Sequence, residues 1–257
     1  MRPASGTLRV FGLSSIVEAL IPAFPAVGLT DTVLHVHTIG RHNVTIKYSI
    51  QYSTPTEMAR LIPHTFREFT WSRDSGYRLW ESDRRVVGSG AHRKTYKPLE
   101  RNDNLFGQFA SIPQTPEGVL DFITKFGPLT LDGLQESGDD VAAALEGARS
   151  MAGLLRAVGE GQSPTQLPTQ RRSIRLTLRV GYPATSGTLT VLPETLLDAI
   201  WLQLAEALSS GAQIRRCEHC KAWFAAGAGF GRRREAKFCS DEHRILYNSL
   251  KRTAGTG

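Results

Sequence analysis

Residues 217–243 read CEHCKAWFAAGAGFGRRREAKFCSDEH and hold all three cysteines of a 257-residue chain. Cys217 and Cys220 are separated by two residues, the spacing at which a tight turn lets two thiolates grip one ion. Cys239 and His243 are four apart, so on a helix they share a face, one turn from each other. The eighteen residues between the pairs are enough for a hairpin that brings the second pair back onto the first. Ser240 stands where an N-cap belongs, with Asp241 and Glu242 in the first turn, where the helix dipole favours acids. Soft sulfur with one imidazole, and all four positions filled by protein, specifies one structural Zn²⁺ held by Cys217, Cys220, Cys239 and His243. A redox CxxC would instead open a helix in a βαβ setting and would have no use for Cys239 and His243. His219 lies inside the knuckle turn and is expected to face solvent. Phe224 and Phe238, and with them Trp223, are expected to form a core too small to fold without the metal.

Charge concentrates in the same place. Of the formal net charge of +7, residues 211–257 contribute +6, from ten Lys or Arg against four Asp or Glu, which leaves +1 for the first 210 residues. A basic field this local favours anionic partners. Three clustered cysteines make no disulfide framework, so a reducing, cytoplasmic setting is expected. The most apolar early stretch, SSIVEALIPAFPAVGL (14–29), is interrupted by Glu18, Pro22 and Pro25, too short and broken to span a bilayer, so no membrane partner is expected.

The remaining pattern predicts an α+β chain: a strand-rich N-terminal region (1–100), a helical region (101–160), a linker (161–172), a strand–strand–helix unit (173–211) and the zinc module (212–257). Period-two alternation marks strands at 7–13, 32–39 and 43–52, and a hairpin at 69–82 turning at Asp74-Ser75-Gly76. Helices are predicted at 104–112, at 115–129 with Thr115 as cap, Pro116 first, Glu117 in the first turn and Gly127 as stop, and at 139–160. Strands follow at 173–183 and 186–193. The helix at 193–211 starts with Pro193 and Glu194, ends at Gly211, and carries Leu197, Ile200, Trp201, Leu204 and Leu208 on one face. Its short distance to Cys217 predicts that the module is fixed to it.

The segment CEHCKAWFAAGAGFGRRREAKFCSDEHRILYNSLKR (217–252) resembles the C-terminal zinc module of bacterial CGNR-type zinc-finger proteins: a CxxC knuckle followed by an aromatic, an Arg-rich hairpin, FCS, and a helix with Arg and Asn. The resemblance implies a treble-clef module and a role in regulating transcription. Two departures stand out: His243 replaces the family's usual fourth Cys, and SDEHR stands where the letters CGNR would be.

The basic residues fall on two elements. Arg232, Arg233 and Arg234 sit in a Gly-rich hairpin with Lys237 just before the third ligand, and Arg215 and Arg216 precede the knuckle. On the following helix Arg244, Asn248 and Lys251 recur at i, i+4 and i+7 with Arg252 alongside, while Ile245, Leu246 and Leu250 are expected to pack inward. Such a face suits phosphate contacts, and Asn or Arg on a helix reads base edges, so nucleic acid, DNA ahead of RNA, is the expected partner. The alternative is a zinc-stabilised module that docks an acidic protein without binding nucleic acid. Oligomeric state is left open. Catalysis is not expected: no P-loop, GxSxG or HExxH is present, and His35 and His37, alternating on a strand with His42 and His64 beyond, lack a supporting carboxylate. His92 lies in a Gly/Ser loop, a weak anion cradle.

Overall fold

A computed structural model of the chain describes residues 33–39, 43–52, 68–82, 84–90, 92–100, 102–162, 172–181, 188–227 and 230–254. All of these belong to one compact unit, Thr32–Gly257. The expected strand at 7–13, the apolar stretch 14–29, His42, His64 and most of the predicted linker lie outside the described residues.

The alternating segments form the expected antiparallel hairpin, β1 (Val33–Ile39) with β2 (Asn43–Tyr52). His35 and His37 stand opposite Lys47 and Thr45, and the surroundings of their side chains lie outside what is described. Next come β3 (Trp71–Asp74), β4 (Tyr77–Trp80), β5 (Arg85–Gly88) and β6 (Arg93–Tyr96). The turn expected at Asp74–Gly76 is not one. β3 pairs with β6 and β4 with β5, so 74–76 is only a bend in one long hairpin. Ser89 N donates to Gly76 O at 2.9 Å, carrying the pairing across the bend, and a Cβ on Gly76 would meet Ser89 Oγ at 2.6 Å. The chain reverses instead at Glu81 and Ser82, both with positive φ (54° and 50°).

The helices follow. In α1 (Leu105–Phe109), Leu105, Phe106 and Phe109 are fully buried. α2 (Pro116–Phe126) begins as the sequence predicts, Thr115 Oγ1 accepting from Gly118 N at 3.2 Å, and ends at Gly127 with φ +79°. Val119, Phe122, Ile123 and Phe126 form its buried stripe at helical spacing. Asp139 and Asp140 are not helical as expected: they form the short strand β7 (Asp139–Asp140), paired with β5. Both carboxylates have backbone partners that a helix would deny them. Asp139, buried, accepts from Leu129 N (2.7 Å) and from Thr130 N and Oγ1 (3.0 and 2.6 Å), while Asp140 caps α3 (Val141–Gly159) through Ala143 N.

β8 (Arg172–Gly181) then pairs with β2 along its length, and β9 (Thr188–Pro193) with β8, giving a sheet of order β1-β2-β8-β9. Pro193 ends that strand, so α4 (Leu196–Ser209) starts later than predicted. Its cap is Thr195, which accepts from Asp198 N at 3.1 Å. α4 is also buried on nearly every side, not on one face: Ala199, Leu202, Gln203, Ala205 and Ala207 are inside along with the predicted Ile200, Trp201, Leu204 and Leu208, while the predicted Leu197 is only half-buried. It lies between α1 and the β8–β9 pair, which removes any solvent face. Buried Gln203 is satisfied at both ends, accepting from Phe106 N (3.1 Å) and donating to Asn102 O (2.6 Å), so α4 caps the start of α1. The architecture is therefore mixed helix and sheet, of the α+β kind. Among the described residues, no helix is long and apolar enough to cross a membrane.

Candidate metal centre

The module begins with β10 (Gln213–Arg216) and β11 (Trp223–Ala226), antiparallel, with Arg216 opposite Trp223, so the knuckle is the turn of this hairpin. Inside it Lys221 N donates to Cys217 O at 3.0 Å and Cys217 N to Ala222 O at 2.9 Å. Lys221 takes φ +60°, a left-handed conformation that costs a side chain about 1–2 kcal/mol. The chain goes on through a bridge between Gly227 and Arg232 and returns under the knuckle, where Glu218 N donates to Lys237 O at 2.9 Å. α5 (Asp241–Ala254) opens as the sequence predicts, Ser240 Oγ accepting from His243 N at 3.1 Å.

These paths bring the four predicted ligands together. The three sulfurs and an imidazole nitrogen lie within 4.8 Å of one another. Cys220 Sγ is 3.7 Å from Cys239 Sγ, and His243 Nδ1 is 3.8 Å from Cys217 Sγ and 3.0 Å from Cys239 Sγ. A tetrahedral ion with sulfur at about 2.3 Å and nitrogen at about 2.0 Å requires about 3.8 Å between sulfurs and about 3.5 Å from sulfur to nitrogen. The sulfur spacing meets this, the two nitrogen distances straddle it, and 3.7 Å is far from the roughly 2.05 Å of a disulfide. The donor set fits a thiophilic dication.

The electrostatics call for one. Burial raises the Cys217 thiol, but backbone N–H groups of Cys239, Cys220 and His219 and the Cys220 thiol converge on its sulfur and bring its pKa down to about 6. Cys239 is pushed up to about 12, by burial first and then by the Cys220 thiol and the negative charge at Cys220 and Cys217; burial raises Cys220 as well. Cys217 is thus the most readily ionised of the three, and Cys220 and Cys239 hold their protons more tightly than a free thiol does. A dication would remove the mutual repulsion and let all three ionise.

Cys217, Phe224 and Ala226 are buried together, with Ala236, Phe238 and Cys239 partly buried against them. Trp223 faces elsewhere: its ring lies near Gly159 of α3, and its backbone is clamped by α1, Asn104 Nδ2 donating to Trp223 O at 2.7 Å and Trp223 N to Ser111 Oγ at 3.2 Å. The module is therefore docked on α1 and α3, in addition to following α4 in the chain. Asn104, Gly107 and Ser111 do this positioning, and sequence reading missed them because they stand more than a hundred residues from Trp223. The glycine inside a short helix of largely buried residues was the available signal. His219 is not in solvent as expected. It is half-buried, its ring centroid 5.0 Å from that of His243, because the knuckle turns it onto the ligand's ring.

The basic residues are distributed unevenly. Arg233, Arg234, Arg244, Asn248, Lys251 and Arg252 are exposed. Asp241 lies 3.4 Å from Arg232 and 3.6 Å from Arg244, tying hairpin to helix, and Lys237 lies 3.5 Å from Glu218. Arg215 is held by the side chain of Gln213, and Arg216 stacks on Trp223, its guanidinium 4.6 Å from the ring centre. Ile245, Leu246 and Leu250 do not pack inward as expected. They are 63%, 43% and 61% exposed: the inward arc of α5 is taken by His243 and by Tyr247, which packs on Phe238, so Ile245 and Leu246 point off it, and Leu250 lies on that arc but two turns beyond the cluster. His92 is exposed as well. Comparison with protein-family models, with curated proteins and with solved structures finds no match.

Proposed function

We propose that this chain is a zinc-binding, nucleic-acid-binding protein, with one structural Zn²⁺ closing a treble-clef module whose basic surface contacts DNA in preference to RNA, in the service of transcriptional regulation. The convergence of Cys217, Cys220, Cys239 and His243 is the observation that carries it. Four protein ligands leave no open position for catalysis, so the ion's role is to hold the knuckle, the hairpin and α5 together. That closure sets the hairpin arginines beside the first turn of α5, where Arg232 and Arg244 share the carboxylate of Asp241. Arg233, Arg234 and Lys251 are the phosphate contacts, and Arg244 and Asn248 the side chains to reach base edges.

The test joins metal analysis to a salt titration. Purified chain should carry one zinc per molecule, and Cys220→Ser should lose it. Affinity for DNA should fall steeply with salt, and alanine at Arg232, Arg233 and Arg234 together should flatten the log–log slope by about 2–3. Zinc-loaded protein whose binding ignores salt sinks the nucleic-acid reading.

The second reading rests on the apolar arc of α5. Of the four large apolar side chains exposed among the described residues, three are Ile245, Leu246 and Leu250. An arc of this kind beside a basic stripe suits a protein partner that presents an apolar patch edged by acids. Native pull-down with and without nuclease separates the two readings: a nuclease-resistant protein partner favours this one.

A further inference from the structure

Away from the hairpin, the molecule holds a second concentration of positive charge, in which Arg149 and Arg156 of α3 join basic residues of the knuckle and its flanks. The Arg216–Trp223 stack separates two concavities between α3 and the knuckle. Arg156, Arg216 and Trp223 line both. The larger, of about 450 Å³, adds Arg149 from α3 and Lys221 from the knuckle, and no carboxylate lines it. The smaller, of about 400 Å³, adds Arg215 and Lys237 but also Glu160 and Glu218, and Lys237 is already engaged with Glu218 at 3.5 Å.

We infer that the larger groove is a phosphate-binding site, and that together with its neighbour it carries a run of nucleic-acid backbone from the body of the protein toward the zinc module. The inference rests on the nucleic-acid reading above and extends it to α3.

Four cations from three separate elements line one concavity with no carboxylate on its wall, where Cys220 is the one acidic side chain. Such an arrangement repels itself unless an anion is present, and a concave cationic wall concentrates anions. Arg149 and Arg156 are seven apart on α3 and so lie on one face, and the small residues Ala152 and Gly153 between them keep the wall open: a Cβ on Gly153 would meet nothing within 4 Å. Arg149 is shared with Glu146 at 2.5 Å, an exposed pair of little strength. Arg156 has no ion pair among the described residues. Stacking on Trp223 pre-orients the Arg216 fork, so less freedom is lost when it grips a phosphate with two parallel bonds. The two concavities lie on either side of one shared Arg pair and end at Lys237, beside the Arg-rich hairpin. That layout suits a chain of phosphates better than an isolated one.

The test uses the full zinc-loaded chain and a fluorescently labelled mixed-sequence DNA duplex, with an RNA of the same sequence in parallel, titrated across NaCl. Arg149 and Arg156 are exposed, so Arg149→Ala/Arg156→Ala removes charge without opening the core. Unchanged zinc content and circular dichroism establish that the variant is intact, and Arg156→Glu serves as an independent second variant. The expected result is a log–log slope smaller by about 1–2 and an affinity about tenfold weaker per lost contact near 0.1 M salt, adding to the effect of the hairpin substitutions. A groove variant that keeps the wild-type slope while the hairpin variant loses its own overturns this inference and leaves the nucleic-acid reading standing. Wild-type chain that binds neither DNA nor RNA at low salt overturns both. Displacement of DNA by pyrophosphate at constant ionic strength as effective as displacement by unlabelled duplex assigns the groove to a small phosphate ligand and overturns the polymer.

Discussion

Gly107→Ala opposes two effects of different sign at one atom. In an ordinary exposed helix, alanine is better than glycine by about 1 kcal/mol. Here the added Cβ would lie 1.9 Å from Trp223 O, 2.7 Å from Trp223 C and 2.4 Å from Asn104 Oδ1. A carbon–oxygen contact needs about 3.4 Å, so β11 must retreat from α1 by roughly 1.5 Å. That retreat breaks the 2.7 Å bond from Asn104 to Trp223 O and the 3.2 Å bond from Trp223 N to Ser111, each contributing about 0.5–1.5 kcal/mol. Repacking of the surroundings costs about 1–3 kcal/mol more. The clash wins, and the net loss is about 2–4 kcal/mol, which lowers Tm by roughly 5–15 °C in a domain of this size. Because the clamp bonds run through the backbone of Trp223 and through none of the four cluster residues, zinc stoichiometry should stay at one. Differential scanning calorimetry together with a dye assay for released metal reads both quantities. An unchanged or raised Tm would mean that the module is not docked on α1 through Trp223, and the positioning argument would fail.

Other perturbations address the centre itself. Chelation, or Cys239→Ser, should melt α5 and leave α1–α4 folded, seen as a partial loss of helical circular dichroism and as a protease-resistant core ending before Cys217. Metal binding must displace protons from the thiols that are held protonated, Cys239 at about 12 and Cys220 raised. Zinc affinity should therefore fall by at least tenfold per unit as pH drops through neutrality, and competition titrations at several pH values would show it; a flat profile would argue against thiolate ligation. Lys221→Gly relieves the φ of +60° and should make the module more resistant to chelator by about 0.5–1 kcal/mol, while removing one cation from the groove.

What the sequence made legible was local. Thr115 and Ser240 cap the helices they were expected to cap, and the β1–β2 hairpin follows from its alternation, because each depends on residues within one turn or one short loop. The ligand set was legible for the same reason: two short spacings, with only loop closure between them. The errors share a cause, which is that a long-range partner decided the outcome. Asp74-Ser75-Gly76 has turn chemistry, yet β6 pairs with β3 and carries the strand past it. The one-sided pattern of α4 was genuine, but α1 and the β8–β9 pair cover its other sides. Trp223 belongs to the helical layer as much as to the metal module, through contacts that no spacing announces.

The same distinction explains the exposed arc of α5. A helix in a globular domain normally turns its apolar residues to the core, and the pattern of Ile245, Leu246 and Leu250 predicts that here. The arc that faces the module is instead occupied by His243, fixed at the sulfurs, and by Tyr247 on Phe238, with Asp241 reaching Arg232. Among the described residues, no other named helix or strand packs extensively against α5. The ligand geometry, and not burial of its apolar residues, therefore sets the helix's rotation about its own axis. Once His243 must point inward, Ile245 and Leu246, at about 200° and 300° around the helix, must point aside or away. Leu250, seven residues on and so on the His243 face, is 61% exposed because it lies two turns beyond the cluster. With so little packing, a helix of 14 residues would be marginal by itself. The cluster thus orients α5, whose basic and apolar arcs both remain outward.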